Sequence, residues 1–317
     1  MTAVARLLFR LGVVAFVVTF TTFGLLDQAP GDPAAARAGL NATEENIERI
    51  RAELGLDDPF LVRYANWLGD ILTGDFGTSI LNGQPVSDLM ASALPHTIEL
   101  MVLSQVMALA VSIPLAIYAA QRPGGLVDRV TGAASFGLLA APAFVLGLYL
   151  QYLLAVRLGW LPAVATDLPG PFEDPIENLR QLLLPAVTLA SGLVAVYIRL
   201  LRTDLIATLQ EDFVLLAQAR GYTRRRVLWR HALRPSSFSL LTAAGLSTAG
   251  LLGGALIAET LFAVPGVGRL AVVSIFTEDY DVVMAVVLLL SLAFIVANFL
   301  VDVLYAVVDP RVRRDGH

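Results

Sequence analysis

Glu211-Asp-Phe-Val-Leu-Leu-Ala-Gln-Ala-Arg220-Gly-Tyr-Thr-Arg-Arg-Arg-Val-Leu-Trp-Arg230-His-Ala-Leu-Arg-Pro-Ser-Ser237 is a polar stretch caught between two long apolar runs. Asp212 is placed to cap a short helix that carries Phe213, Leu216, Ala217 and Arg220 on one face. Gly221 follows at the C-cap position, where glycine adopts a left-handed backbone at little cost. Thr223 is placed to cap a second helix, with Arg226, Arg230 and Arg234 in one stripe and Leu228, Trp229, Ala232 and Leu233 in another. Pro235 is expected to end it. Two short amphipathic helices hinged at a glycine and held against a membrane domain make a docking platform for a soluble protein. The bland alternatives are a basic helix pair hugging lipid, and arginines clustered by topology alone.

Outward from this stretch, apolar runs long enough to cross about 30 Å of hydrocarbon occur six times. They lie near 7–26, 97–120, 130–156, 182–201, 238–262 and 282–308. The first follows Arg6 and Arg10 but is long for a signal sequence and has no small-x-small cleavage site before Asp27, so it reads as an uncleaved span. With the N-terminus inside, the cytoplasmic side collects Arg6, Arg10, Arg122, Arg129, Arg199, Arg202, Arg220, Arg224, Arg225, Arg226, Arg230, Arg234, Arg311, Arg313 and Arg314, which is 15 of the 22 arginines. That excess places both termini and the 203–237 loop in the cytoplasm.

Composition narrows the chemistry. The 317 residues are 56% hydrophobic, with a mean hydropathy of +0.71, too apolar for an ordinary soluble domain. There is no cysteine, which excludes disulfides and thiol chemistry. Every basic residue is arginine, so the lysine of a phosphate-binding P-loop is missing and the chain is not its own ATPase. His96, His231 and His317 lie far apart in sequence, and no metal centre is expected.

The expected architecture is an all-α membrane protein of six transmembrane helices. Residues 1–26 form the N-terminus and first span, 27–95 a small extracytoplasmic helical insertion, and 96–317 a five-helix core that contains the 203–237 loop. Within the insertion, Thr43 caps a helix carrying Ile47, Ile50 and Leu54, with Gly55 to close it. A second helix runs from Pro59 through Leu72, with Phe60, Tyr64, Trp67, Leu68 and Ile71 on its apolar side.

The 211–237 stretch resembles the cytoplasmic coupling loop of ABC-importer permeases. Against the general Glu-Ala-Ala form of that loop only Ala217, Gly221 and Leu233 match. Against the dipeptide/oligopeptide/nickel branch, Asp212, Val214, Ala217, Ala219, Gly221, Arg226-Val227 and His231-Ala232-Leu233-Arg234 all fit. Pro30-Gly-Asp-Pro33, Leu54-Gly-Leu-Asp-Asp-Pro59, Arg63-Tyr64, Gly74-Asp-Phe-Gly77-Thr-Ser79 and Gln84-Pro-Val86 are similar to the B-type subunit of that family. Arg157-Leu-Gly-Trp-Leu-Pro162, Leu184-Pro-Ala186, Glu259-Thr-Leu-Phe-Ala-Val-Pro-Gly-Val-Gly268 and Asp302-Val-Leu-Tyr-Ala-Val-Val-Asp-Pro-Arg311 extend the likeness over nearly the whole chain. The resemblance implies a permease subunit of the bacterial inner membrane that performs no covalent chemistry and holds no cofactor. It further implies a heterodimer with a C-type permease, two ABC ATPase subunits carrying ATP and Mg, and an extracytoplasmic solute-binding protein, with no role for nucleic acid. Asp212, Ala217, Ala219, Arg220, Gly221, Arg225, Arg226 and His231 are then the candidate coupling residues.

Inside the membrane, Gly245, Gly250, Gly253, Gly254 and Ala249 give the fifth span a small-residue face, read as helix packing or as pore lining. Thr242, Ser247 and Thr248 are the candidate pathway hydroxyls, and Glu259, just ahead of Pro265-Gly266, is a candidate outer gate. For these the alternatives are hydroxyls bonded back to their own helix and a carboxylate bracing the turn. Asn298, Asp302 and Tyr305 share a face of the last span as an interfacial polar cluster.

The reading is a permease of an ATP-driven importer of di- or oligopeptides. A nickel-chelate or other small-solute importer is the alternative within the family. A secondary transporter, which needs midplane ionisable residues and broken helices in matching halves, and a structural membrane subunit are alternatives outside it.

Overall fold

In the computed structural model, residues 3–28, 32–39, 43–53 and 55–308 are described, with some side chains near both ends excepted. Their secondary structure is helical; the single β feature among the described residues is a bridge between Thr78 and Pro85. In chain order the helices are α1 (Ala3–Asp27), α2 (Pro33–Ala38), α3 (Glu44–Glu53), α4 (Phe60–Thr73), α5 (Val86–Gln121), α6 (Leu126–Ala140), α7 (Ala143–Leu150), α8 (Pro175–Thr208), α9 (Asp212–Ala219), α10 (Arg224–Arg226), α11 (Leu233–Phe262), α12 (Val267–Phe276) and α13 (Tyr280–Val308). Two π-helical turns, Gln151–Arg157 and Val227–Ala232, continue α7 and lead into α11.

Helix starts follow local chemistry. Asp174 accepts a hydrogen bond from the Glu177 amide at 3.1 Å, and Pro175 occupies the first turn of α8. Thr43 Oγ1 accepts from the Asn46 amide at 3.3 Å, as expected for the start of α3. Gly74 closes α4 at φ 88°.

The chain divides into two compact units, Met1–Thr97 with Pro265–Val296, and Ile98–Val264 with Ala297–His317. In the first unit α1 and α4 meet through rings: Phe20 and Tyr64 stand edge to face at 5.2 Å, and Thr19 Oγ1 and Tyr64 Oη share a hydrogen bond of 2.9 Å. A separate core joins Val86, Met90 and Ala93 of α5 to Val267 and Ala271 of α12 and to Val282, Ala285 and Val286 of α13. The loop between α4 and α5 is latched there: the carboxylate of Asp279, 1% exposed, accepts from Ser79 Oγ at 2.5 Å and from the Ile80 amide at 3.0 Å. Beside it, Gly77 (φ +77°) has Asp281 Oδ2 only 2.7 Å from where a Cβ would stand, so glycine is required there by conformation and by space. Residues 79–93, the end of the expected insertion, thus pack with residues 265–296.

Among the described residues the second unit has two large cores, besides a small one under α9. One groups Leu100, Leu182, Leu184, Leu189, Leu251 and Phe262; the other groups Ile117, Tyr197, Leu201, Leu205, Leu228 and Leu240. Close helix approaches explain several of its glycines. A Cβ on Gly147 would stand 2.9 Å from Thr188 and 3.0 Å from Leu261; one on Gly254 would meet Leu189 at 3.0 Å.

Among the described residues four helices are long and apolar enough to cross a bilayer, and five if one bent pair counts as a span. That pair corrects the expected 130–156 span. It is two helices, Leu126–Ala140 and Ala143–Arg157, bent by 104°. The break falls at Ala141-Pro142, where Ala141 is extended (φ −91°, ψ 132°) because the ring of a following proline disfavours the helical region. Helix α5 runs 36 residues, about 54 Å at 1.5 Å per residue, well beyond the expected 97–120. Helix α12 was not foreseen from the sequence; its ten residues are too few for a span. The expected cluster of Asn298, Asp302 and Tyr305 and the arginines at 311–314 lie wholly or partly outside the described side chains.

Candidate coupling loop

After Thr208, α8 unwinds through single turns in which the Gln210 amide donates to Ala207 O at 3.0 Å and the Glu211 amide to Thr208 O at 3.1 Å. Helix α9 then starts, but Asp212 is not its cap. Glu211 holds the extended cap position (φ −73°, ψ 146°) without a side-chain bond, and Asp212 is the first helical residue, where its charge suits the helix N-terminus.

The buried face of α9 is narrow. Val214 and Ala217 pack against Val227 and Leu209, whereas Phe213, Leu215 and Leu216 are 48%, 50% and 53% exposed. The reason is the partner: the surface α9 lies on is one π-helical turn, and it covers only the narrow strip spaced three residues apart. The wide apolar side of α9 therefore faces outward.

The hinge is built as the sequence suggested. The Tyr222 amide donates to Ala217 O at 3.3 Å and the Gly221 amide to Gln218 O at 2.9 Å, the paired bonds of a Schellman cap, with Gly221 at φ 79°. No atom lies within 4 Å of a Cβ at Gly221, so the backbone angle alone selects glycine. Thr223 Oγ1 accepts from the Arg226 amide at 3.4 Å and starts the second helix. The Arg226 guanidinium lies 4.8 Å from the Tyr222 ring centroid, and the His231 ring stacks on Tyr222 at 5.4 Å. These three side chains stiffen the elbow.

Pro235 does not end the second helix. The helix passes through it from the π turn at Val227–Ala232 into α11. Proline removes one amide donor and crowds the carbonyl four residues back, and the wider π turn immediately before it accommodates both. Ser236 Oγ donates to Ala232 O at 2.9 Å and lies 2.8 Å from Thr208 Oγ1, tying the exit of the loop to its entrance. Arg226, Arg230 and Arg234 form the expected exposed row. Of the expected apolar stripe, Leu228 and Ala232 are buried, but Trp229 is 43% exposed and Val227 takes its place in the core.

The structure thus gathers Asp212, Arg220, Gly221, Arg225, Arg226 and His231 on one elbow, with Ala217 beneath it as a packing residue and Ala219 exposed on α9. Tyr222, Thr208 and Ser236 belong to the same construction and were not singled out; an aromatic right after a hinge glycine is the one signal that pointed to Tyr222. The residues named for the pathway are not drawn together. Thr242 and Glu259 stand on the same helix about 25 Å apart at 1.5 Å per residue. Thr242, Ser247 and Thr248 are half-buried, and Thr248 donates back to Ala244 O at 3.0 Å. Glu259 is fully buried (0% exposed), and its carbonyl accepts from the Val264 amide at 2.9 Å where α11 ends at left-handed Ala263.

Comparison with known proteins places this geometry. Residues 112–314 match the family described as "Binding-protein-dependent transport system inner membrane component", and residues 3–101 match the N-terminal family described as "Binding-prot-dependent transport system membrane comp, N-term". The chain is 38% identical, over 97% of its length and 97% of the relative's, to a probable peptide ABC transporter permease of Sinorhizobium fredii. It is 36% identical to the oligopeptide transport system permease AppB of Bacillus subtilis, covering 93% of this chain and 94% of that one. It is likewise 36% identical to the glutathione transport system permease GsiC of Escherichia coli, covering 94% of each. In fold it resembles an inward-facing MetNI methionine ABC transporter structure, with a TM-score of 0.56 at 17% identity over 70% of this chain and 96% of that one. The apolar helices, the elbow between two of them and these matches lead to one conclusion: the chain belongs to the family of multi-pass inner membrane components of binding-protein-dependent ABC transport systems, a transport subunit and not an enzyme.

Proposed function

We propose that the chain is the B-type transmembrane subunit of an ATP-driven importer of di- or oligopeptides. The observation that carries this reading is the elbow. It is rigid by its caps and stacking, yet it leaves Phe213, Leu215 and Leu216 uncovered by the chain's own described residues, beside exposed Arg220, Arg225, Arg226 and Arg230. An apolar patch rimmed by charge is what a groove on a soluble partner recognises. In this reading the partners are two ABC ATPase subunits that bind ATP and Mg, a C-type permease completing the membrane domain, and an external solute-binding protein. The peptide cargo is carried over from the relatives named above.

The same reading makes six spans from α1, α5, the bent α6–α7 pair, α8, α11 and α13, with both termini and the elbow in the cytoplasm and the 27–95 stretch outside. Closure of the ATPases on ATP would pull on Asp212, Gly221 and their neighbours, and the membrane domain would alternate the side to which its central path opens. Thr242, Ser247 and Thr248 would supply hydroxyls to a wet path, and Glu259 would hold the outer end of α11 in shape. Because the chain has no cysteine, one introduced thiol reports cleanly on topology. In intact cells Asn82→Cys should react with an impermeant maleimide and Thr223→Cys should not. The reverse pattern would put the elbow on the wrong side for an ATPase and end this reading.

A further inference from the structure

Asp128 sits in the first turn of α6 and Arg202 on α8, six residues ahead of its end at Thr208. The guanidinium forks onto the carboxylate: Nε donates to Oδ1, and Nη2 donates to Oδ2 at 2.7 Å. Oδ2 also accepts from the Gly124 amide at 2.7 Å. The Asp128 side chain is only 9% exposed, so this carboxylate is far more enclosed than the partners in the surface pair Arg49–Glu53. The fork and the third bond from Gly124 together fix the orientation of the carboxylate. On its other side the end of α8 holds the elbow. Leu201 and Leu205 pack with Leu228 and Ala232, and Thr208 is hydrogen-bonded to Ser236.

At its far end α6 meets the 104° break at Ala141-Pro142. Beyond it, α7 is pinned where Gly147 approaches Thr188 and Leu261. Helix α6 lies along α8, is jointed at the proline, and at its other end is forked by the Asp128–Arg202 pair to the element that carries the elbow. We propose that the Asp128–Arg202 pair is a positioning pair that transmits displacement of the elbow to the bent α6–α7 pair during transport; this rests on reading the elbow as the ATPase-docking loop.

The test uses the full complex, with both permeases, both ATPases and the solute receptor, reconstituted in proteoliposomes. Its readouts are complex yield, basal ATPase rate, and ATP hydrolysed per peptide imported. Asp128→Asn should assemble normally and keep its basal rate, while ATP consumed per peptide rises about fivefold or more, the lower end of ordinary coupling free energies. The exchanged pair Asp128→Arg with Arg202→Asp should bring the ratio back toward wild type. If the exchanged pair fails to assemble, Arg202→Lys decides, since it keeps charge and loses the fork. A ratio between those of wild type and Arg202→Gln supports transmission, and a ratio equal to that of Arg202→Gln overturns it. An unchanged ratio in Asp128→Asn, or uptake falling only in step with yield, also overturns it and leaves the pair a structural brace. Failure of the wild-type complex to import any peptide would sink the proposed function instead, so the two failures are distinguishable.

Discussion

The elbow at 209–237 and the loop at 74–85 are both short irregular segments next to long helices, yet they are secured in opposite ways. The 74–85 loop is fixed by a buried carboxylate: Asp279 takes the Ser79 hydroxyl and the Ile80 amide, and Gly77 leaves room for Asp281. The elbow is shaped by its own backbone, through a Schellman cap, a threonine cap and a three-residue packing strip with ring stacking outside, and it rests on α8 through apolar packing of Leu228 and Ala232 and one Ser236–Thr208 hydrogen bond. Its hydrophobic side chains are left at the surface. A segment locked by buried polar groups cannot move without breaking them, whereas one that is stiff in itself can move as a body. On the proposed function, the 74–85 loop is a fixture and the elbow a handle.

Breaking the fixture should have the largest effect. Asp279→Ala leaves one buried and one part-buried donor without an acceptor, and the detergent-purified protein should lose about 3 kcal/mol, read as a fall in its thermal unfolding midpoint. A loss confined to transport with the midpoint unchanged would reverse the contrast. At the elbow, Gly221→Val forces a β-branched residue to φ 79° in open space, costing more than about 1 kcal/mol locally. It should insert normally but lose ATPase association or transport coupling, and Gly221→Asn should be milder because asparagine tolerates the left-handed region. Normal transport by Gly221→Val would remove the hinge.

The handle itself is sharpened by Leu216→Glu, which alters an exposed side chain and should leave the unfolding midpoint within about 0.5 kcal/mol of wild type. ATPase co-purification should nevertheless fall; if it persists, that face is not the docking surface. Tyr222→Leu should cost about 1 kcal/mol or less through the lost stacking on His231 and Arg226, detectable as faster proteolysis at 220–226. Glu259→Gln is the finest probe: reduced complex yield would mark a bracing role, and reduced uptake at unchanged yield and basal ATPase would mark a contact with cargo.

The places where sequence reading and structure part company share a cause. Expected caps and hinges at Thr43, Gly55, Gly221 and Thr223 follow from a residue's own backbone and side chain, and they stand where expected. Asp212 and Pro235 were read by the same local rules and came out differently. A cap one residue earlier served α9 equally well, and a π turn absorbed the proline. Which side of α9 is buried was not legible, because helical spacing shows which residues share a side but not how wide a surface awaits them. Asp128 and Arg202 went unpaired in the sequence reading because 74 residues separate them, and nothing local to either names the other.

By itself the sequence determined that this is a helical membrane chain without thiol or P-loop chemistry, that its arginines cluster between 199 and 234, and that a glycine-hinged pair of helices lies between two apolar runs. Those properties are set by composition, by side-chain period and by the conformational preferences of single residues. Only the tertiary structure decided that the third apolar run bends by 104°, that Asp279 holds the 74–85 loop, and that α9 turns Phe213, Leu215 and Leu216 outward. Each of these depends on what lies across a packed interface from a residue, and a one-dimensional pattern carries no information about the other side.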